Sequence, residues 1–266
     1  MPRFPRSVLL SLSALAVLSG CAGGGKARKD QSYVAQDVET LYTAAQATLA
    51  RRQYRLAGAQ FDEVERQHPY SVWARRAQLM SSFCYYAAGE YQEAIGAAQR
   101  FLSLHPGSRE APYAYYMVAL SHYNQIMPVN KDQKTTQQAL DSLGELIRRY
   151  PNTDYAADAR LKIDLARDHL AGKEMEIGRF YQNQGLYVAA IIRFRTVVDK
   201  FDTTSHAPEA LHRLVESYLA MGIPEEATKA AAVLGNNYAE SKWYDRSYKL
   251  ISRWVPDAPK KSATQG

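Results

Sequence analysis

One cysteine near the start of the chain stands where its thiol can be acylated. Cys21 closes the stretch Leu18-Ser19-Gly20-Cys21, which follows an apolar run and the cations Arg3 and Arg6. A charged segment, a short apolar segment and small residues before a cleavage point are typical of a secretory signal. A cysteine directly after the small residues is the mark of a bacterial lipoprotein signal, in which the thiol carries lipid. We therefore predict that residues 1–20 are a signal peptide and that Cys21 tethers the mature chain to a membrane.

Two alternatives for this segment stay open. One is an ordinary secretory signal with an accidental cysteine, and the other is an uncleaved transmembrane anchor. The apolar run from Val8 to Leu18 is about 11 residues long, whereas about 20 are needed to span a bilayer. On the lipoprotein interpretation, the protein works at a membrane surface on the far side of the inner membrane.

The remaining residues show no spacing typical of a catalytic or metal site. No HExxH, CxxC, phosphate-binding glycine loop or nucleophile elbow occurs in the sequence. Among the six histidines, His68 and His105 both precede proline at one repeat position, which indicates helix ends. Cys84 is the second of two cysteines, and we expect a small buried residue there. The sequence predicts no enzymatic activity, no cofactor and no metal.

Length and charge limit the partners. Without residues 1–20 the chain has 246 residues, and its formal charge falls from +6 to +4 because Arg3 and Arg6 are lost. This excess is too small and too evenly spread to indicate nucleic acid, and export disfavours such a partner as well. Residues 21–33, rich in glycine and charge, predict a flexible tether. Residues 256–266 predict a disordered tail.

Between these ends the sequence repeats. The frame Tyr54-x-x-Ala57-x-x-x-Phe61…His68-Pro69 returns 37 residues later as Tyr91-x-x-Ala94-x-x-x-Ala98…His105-Pro106. Further copies begin at Ala139, Tyr187 and Pro224, and glycine ends the preceding helix at Gly89, Gly185 and Gly222. This order of aromatic, glycine, alanine and proline resembles the tetratricopeptide repeat. It predicts an all-α superhelix of about five helical hairpins, against the alternative of a generic helical protein with coincidental periodicity.

The frame places the boundaries of the repeat domain, residues 34–255. The predicted repeats are 36–71, 73–108, 111–153, 155–203 and 207–241, followed by a terminal helix. Two intervals are long. Residues 125–132 read as a loop inside the third repeat, and residues 155–172 as extra helix, continuous with or stacked on the next one, with a kink or break at Gly172.

Stacked hairpins of this kind function by shape, because their first helices line a concave face that holds an extended peptide or a partner's helix. Tyrosine is abundant, with 19 in the chain, and Tyr113, Tyr115, Tyr116 and Tyr123 cluster in the third repeat. Tyrosine gives broad contact at low entropic cost, although packing between helices explains most single tyrosines equally well. The frame places these residues in or near the groove: Tyr42, Gln46, Arg76, Phe83, Tyr86, Met117 and Asn124.

Two longer stretches carry a family resemblance. Ala57 to Ser71, AGAQFDEVERQHPYS, looks like an opening hairpin, and Arg148 to Ala159, RRYPNTDYAADA, precedes Leu170-Ala171-Gly172-Lys173-Glu174 as in a long linking helix. With the lipoprotein signal, the tether and five repeats, the mature chain to about Trp254 resembles the BamD, or ComL, family. These are lipoprotein subunits of the β-barrel assembly machinery of Gram-negative outer membranes.

The resemblance implies a scaffold with two tasks. The first repeats would recognise unfolded barrel proteins or their C-terminal targeting strands. The last repeats would dock onto the barrel-forming subunit and smaller lipoproteins, with Arg193 and Arg195 as candidates for charged contact. It also implies a lipid anchor on the periplasmic face of the outer membrane, and Ala22, which is not aspartate, is consistent with that sorting.

Other functional classes stay open on the residues alone. A different tetratricopeptide lipoprotein, serving pilus, division or peptidoglycan machinery, would show the same anchor and repeats. An envelope enzyme with an appended repeat array would need a non-repeat domain, for which residues 37–254 leave no room.

Overall fold

The structure is a computed structural model that describes residues 36–129 and 131–254. Within these residues every regular element is an α-helix, which confirms the predicted all-α class. The helices are α1 (Val38–Ala50), α2 (Tyr54–Gln67), α3 (Val72–Ala87), α4 (Tyr91–Leu104), α5 (Ala111–Tyr123), α6 (Lys134–Arg149), α7 (Asp154–Asn183), α8 (Tyr187–Lys200), α9 (Ala207–Ala220), α10 (Pro224–Asn237) and α11 (Lys242–Trp254).

Several predicted features lie outside the described residues. These are the signal peptide of residues 1–20, the acylated Cys21, the tether of residues 21–33 and the tail of residues 256–266. The eleven described helices all belong to one compact unit that begins at Asp37.

Consecutive helices pack against each other along the whole array, as short connections between antiparallel neighbours require. The first helices of the first four hairpins also touch in sequence, α1 with α3, α3 with α5 and α5 with α7. They therefore form a continuous row, and this row positions the candidate site.

The turns inside the hairpins use the backbone freedom of glycine. Gly89, Gly185 and Gly222 adopt φ of 79°, 73° and 71°, the left-handed conformation that ends a helix at low cost only for glycine. The predicted glycine stops are therefore confirmed. In the first hairpin Arg52 takes the corresponding conformation, with φ of 60°.

The alanine and phenylalanine positions of the repeat frame form the core. Ala57, Ala94, Ala190 and Ala227 are fully buried, since two helices approach closely where a small side chain faces a large one. Four residues farther along each second helix, the side chains of Phe61, Ala98 and Phe194 are fully buried too. His68 and His105 cap the ends of α2 and α4, as expected, and Cys84 is buried.

Helix α7 corrects one expectation. Its 30 residues run without interruption from Asp154 to Asn183, so the extra helix is continuous and the expected break at Gly172 is wrong. Gly172 is buried inside the helix, and a Cβ there would lie 3.2 Å from His206 Nε2 and 3.6 Å from Val129 Cγ1. The glycine therefore lets two loops approach the middle of α7 rather than breaking it.

One of those loops is the predicted connection inside the third repeat. It begins after Tyr123 and ends before Lys134. His169 Nε2 of α7 lies 2.7 Å from the backbone oxygen of Met127, so the loop folds back onto the long helix.

Candidate binding face

Helix α3 supplies the centre of the predicted groove. Trp73, Arg76, Phe83 and Tyr86 are separated by three, seven and three residues, which places them on one side of the helix. The Trp73 ring lies 4.7 Å, centroid to centroid, from Tyr42 of α1. The guanidinium of Arg76 lies 5.7 Å from the centre of the Trp73 ring. This side of α3 therefore reaches toward α1 and remains open to solvent at Arg76.

Two predicted groove residues are buried instead. Tyr42 is 6% exposed and packs with Phe61 and Ala57 between α1, α2 and α3. Met117 is 2% exposed and packs beside Phe101. Both sit one layer below the surface, because the neighbouring hairpin covers that side of the helix. The sequence places both residues in or near the groove, and the structure buries both side chains.

The other predicted residues are accessible. Gln46 is exposed and lies one helical turn after Tyr42 on α1. Asn124 is exposed and donates a hydrogen bond of 2.8 Å from Nδ2 to the hydroxyl of Tyr86. Phe83 is half-buried and packs against the cores of both the first and the second hairpin. This hydrogen bond between Tyr86 and Asn124 links α3 to α5, so the accessible surface extends to the third repeat.

A group of tyrosines continues this surface onto α7. The Tyr155 ring lies 5.0 Å from Tyr116 and 5.8 Å from Tyr113, both on α5. Tyr116 donates a hydrogen bond of 2.7 Å to the Asp158 carboxylate. Burial and that hydrogen bond raise the pKa of Tyr116, and burial raises the pKa of Tyr113 to about 12. Both hydroxyls therefore stay protonated at neutral pH, and that of Tyr116 donates to Asp158.

The remaining two tyrosines of the predicted cluster point elsewhere. Tyr115 packs against Tyr150 at 5.6 Å, with the Arg149 guanidinium 5.3 Å from its ring. Tyr123 lies 5.4 Å from the ammonium of Lys162. The cluster thus divides between the surface of α5 and the packing against α6 and α7.

We name the resulting surface the first-helix face. It comprises the half-buried and exposed side chains of α1, α3, α5 and α7 that the contacts above connect: Gln46, Trp73, Arg76, Phe83, Tyr86, Tyr113, Tyr116, Asn124 and Tyr155. This face combines aromatic rings with the hydroxyl, amide and guanidinium groups of neighbouring side chains. It suits an extended chain, because it offers apolar area and hydrogen bonds together. Sequence analysis missed Trp73 and Tyr155, although Trp73 lies one helical turn before Arg76.

The two arginines predicted to contact a partner differ in their surroundings. The Nη1 of Arg193 lies 3.2 Å from Glu174 Oε2 and joins α8 to α7. Arg195 is exposed, and no carboxylate among the described residues pairs with it. Arg195 is therefore the arginine available for contact outside the molecule.

A serine, a histidine and a glutamate meet under the last helix. The Ser247 Oγ of α11 lies 2.8 Å from His212 Nδ1, and His212 Nε2 lies 3.3 Å from Glu216 Oε1. This order resembles a nucleophilic triad, but Ser247 is 0% and His212 3% exposed. No substrate reaches a buried hydroxyl, so the cluster fixes α11 to α9.

Neither a metal site nor a membrane-spanning helix occurs among the described residues. Among residues 36–129 and 131–254, no group of three or more His, Cys, Asp or Glu side chains is arranged to hold a metal ion. No helix in the described part of the chain combines the length and the apolarity needed to cross a bilayer.

Comparison with known proteins identifies the family to which this chain belongs. A family model described as outer membrane lipoprotein (YfiO) matches residues 34–234. The chain belongs to this family of outer membrane lipoproteins.

Relatives that align with most of the chain are named outer membrane protein assembly factor BamD. The chain is 48% identical to the BamD of Caulobacter vibrioides over 93% of this chain and 81% of that protein. It is 44% identical to the BamD of Rickettsia prowazekii over 91% of this chain and 97% of that protein. The sequence-based resemblance is thereby confirmed.

A solved repeat domain is more distant. The TPR2AB domain of yeast Sti1 in its pHSP90 complex superposes with a TM-score of 0.42 and 10% identity, over 81% of this chain and 82% of that one. A likeness of this size carries no argument about ligands.

Proposed function

We propose that this chain is an outer membrane protein assembly factor that acts as a lipid-anchored scaffold. The observation that carries the proposal is its 48% identity over 93% of the chain to a protein of that name. On this proposal Cys21 is acylated, the repeat domain lies on the periplasmic side of the outer membrane, and the chain helps β-barrel proteins to fold and insert.

The first-helix face supports a client-binding task. Strands of membrane β-barrels alternate apolar and polar side chains and carry aromatic residues near the two membrane interfaces. An unfolded client therefore presents apolar side chains at every second position and aromatic rings near the strand ends. Tyr113, Tyr116 and Tyr155 offer ring edges to such side chains, and Asn124 and Gln46 offer amides to the client backbone. We therefore assign unfolded outer membrane proteins to this face.

The fourth repeat supports a docking task. Arg195 stands exposed on α8, while Arg193 is held by Glu174 on α7. A carboxylate on the barrel-forming subunit, or on an accessory lipoprotein, would pair with Arg195 without breaking an internal ion pair. Arg193 then acts by fixing α8 against α7.

The proposal includes no catalysis and no cofactor. Ser247, His212 and Glu216 form the described cluster that most resembles a catalytic site, and the burial of Ser247 and His212 assigns them to packing. A scaffold needs only surfaces held at fixed distances, which a stack of helical hairpins provides.

The test is purification of the tagged chain from solubilised envelopes, with mass spectrometry of the proteins that accompany it. We expect an outer membrane barrel protein with periplasmic domains as the dominant partner. The Arg195→Glu variant should lose that partner, whereas the matched variant Arg148→Glu, also an exposed arginine, should retain it.

Pilus, division or cell-wall proteins as the dominant partners would contradict the proposal and favour a different repeat lipoprotein. The Cys21→Ser variant tests the anchor separately. It should fold as the unaltered chain does and appear in the soluble fraction after a high-salt wash. Its retention in membranes under high salt would refute anchoring through the lipid.

A further inference from the structure

Helix α11 carries a straight row of cations. Lys242, Arg246, Lys249 and Arg253 are separated by four, three and four residues, and all four are exposed. Residues at this spacing lie on one side of a helix, and the row extends about 16 Å along the axis. We name it the α11 cationic row.

Contrary to the even spread of charge expected from the sequence, the positive charge of the described chain is concentrated in α11. Residues 242–254 hold four Lys and Arg and one acid, Asp245, for a net charge of +3, whereas residues 36–241 hold 22 Lys and Arg against 24 Asp and Glu. No carboxylate among the described residues forms an ion pair with any of the four cations. The rest of the described chain is thus slightly acidic, and α11 carries an uncompensated positive field.

Packing fixes the direction of the row. Ser247 and Ile251, on the opposite side of α11, are buried, and Ser247 is hydrogen-bonded to His212 of α9. The ammonium of Lys242 and the guanidinium of Arg246 lie 5.1 Å and 4.9 Å from the centre of the Trp243 ring. The cations are therefore held on the outer side before any ligand arrives.

The composition of the row indicates its occupant. The centre of a protein–protein interface is apolar and depleted of lysine, but the exposed residues from Lys242 to Arg253 are all polar or charged. Anionic headgroups need only cations near the surface. Trp254, 63% exposed, directly follows Arg253, and tryptophan favours the boundary between headgroups and acyl chains.

We propose that the α11 cationic row rests on an anionic phospholipid surface, with α11 parallel to the bilayer and Trp254 at the headgroup boundary. This contact is additional to the lipid on Cys21 and does not involve the first-helix face. A terminal helix of a repeat array needs a polar outer face in any case, but mixed charges would meet that need. The need for a polar outer face therefore does not explain why the four charges of the row are all positive.

The experiment uses the full chain carrying Cys21→Ser, so that no acyl chain contributes. Its cosedimentation is measured with vesicles of phosphatidylcholine and phosphatidylglycerol in equal parts, and with vesicles of phosphatidylcholine alone. We expect binding to the anionic vesicles only, and weaker binding as salt is raised. Replacing Lys242, Arg246, Lys249 and Arg253 by Gln should weaken it on the order of a thousandfold.

A matched control removes the same charge elsewhere. Four exposed arginines on other helices and turns are replaced by Gln: Arg51, Arg75, Arg109 and Arg148. Circular dichroism establishes that both variants are folded. The proposal is overturned if the unaltered row does not bind anionic vesicles, if the row variant binds as well as the unaltered chain, or if the control loses as much affinity as the row variant. It is also overturned if the α11 cationic row binds an acidic protein and does not bind the anionic vesicles.

Discussion

The ring of Phe194 lies directly over Gly178 where α8 crosses α7. A Cβ at Gly178 would stand 2.8 Å from Phe194 Cδ1 and 2.9 Å from Cζ, closer than real side chains approach. Gly235 meets Tyr244 in the same way, with a Cβ 2.7 Å from Tyr244 Cε2. At Gly58 the fit is less tight, since a Cβ there would stand 3.0 Å from Tyr85 Cε1. Three pairs of neighbouring helices thus approach closely because one of them lacks a side chain at the crossing.

Gly178→Ala should therefore destabilise the fourth repeat. The added methyl group forces the buried Phe194 ring out of place, and overpacking of this kind costs about 1–3 kcal/mol. The free energy of unfolding in urea measures the effect.

Gly144→Ala is the control for that substitution. Gly144 lies inside α6, and a Cβ there would meet nothing within 4 Å, so alanine should stabilise the helix by up to about 1 kcal/mol. If the two substitutions shifted stability in the same direction, the assigned contact at Gly178 would be wrong.

A second prediction concerns the Asp62 carboxylate. It accepts hydrogen bonds from Tyr85 at 2.7 Å and from Ser81 at 2.6 Å, and it pairs with Arg100 at 3.0 Å. Tyr85→Phe removes one donor and should cost about 1 kcal/mol of stability. Tyr91→Phe, at an aromatic ring packed against Tyr86, should change stability by less. Equal losses in thermal unfolding would contradict the proposed role of the hydroxyl.

The contact between α9 and α11 predicts a dependence on pH. Burial alone would raise the pKa of Glu216, but the hydrogen bond from His212 and the charges of His212 and Arg213 outweigh it and lower the pKa to about 2. A carboxyl whose pKa is depressed by folding stabilises the fold above its unfolded pKa, near 4.5. That stabilisation is lost as the pH falls toward 2.

Glu216→Gln should accordingly destabilise the chain at pH 6 by on the order of 1–2 kcal/mol. The difference from the unaltered chain should shrink steadily between pH 4.5 and pH 2. Glu225→Gln, at an exposed position of α10, should leave the pH profile of unfolding unchanged. A difference at Glu216 that did not vary with pH would refute the electrostatic explanation.

The hairpins were predictable from sequence because their determinants are local. Ala57 and Phe61 lie four residues apart on one helix, and Gly89 and Gly185 end helices through their own φ angles. Such signals do not depend on how the hairpins stack.

The candidate face was only partly predictable, since it depends on that stacking. Tyr42 and Met117 have the spacing of groove residues, but α2 and α3 bury Tyr42, and α3 and α4 bury Met117. Tyr155 joins the face through a contact between α5 and α7 that no local pattern encodes. Gly172 looked like a helix break, because sequence does not reveal that two loops approach it.

The central claim is that the first-helix face receives unfolded barrel proteins, and site-specific photocrosslinking in cells tests it most directly. A photoreactive residue is placed at Gln46, Arg76 or Asn124, all exposed on the face, and as a control at Gln99, exposed on the second helix α4. The account predicts crosslinks to newly exported barrel proteins from the three face positions and not from Gln99. Crosslinks from Gln99 alone, or equally from all four positions, would contradict it.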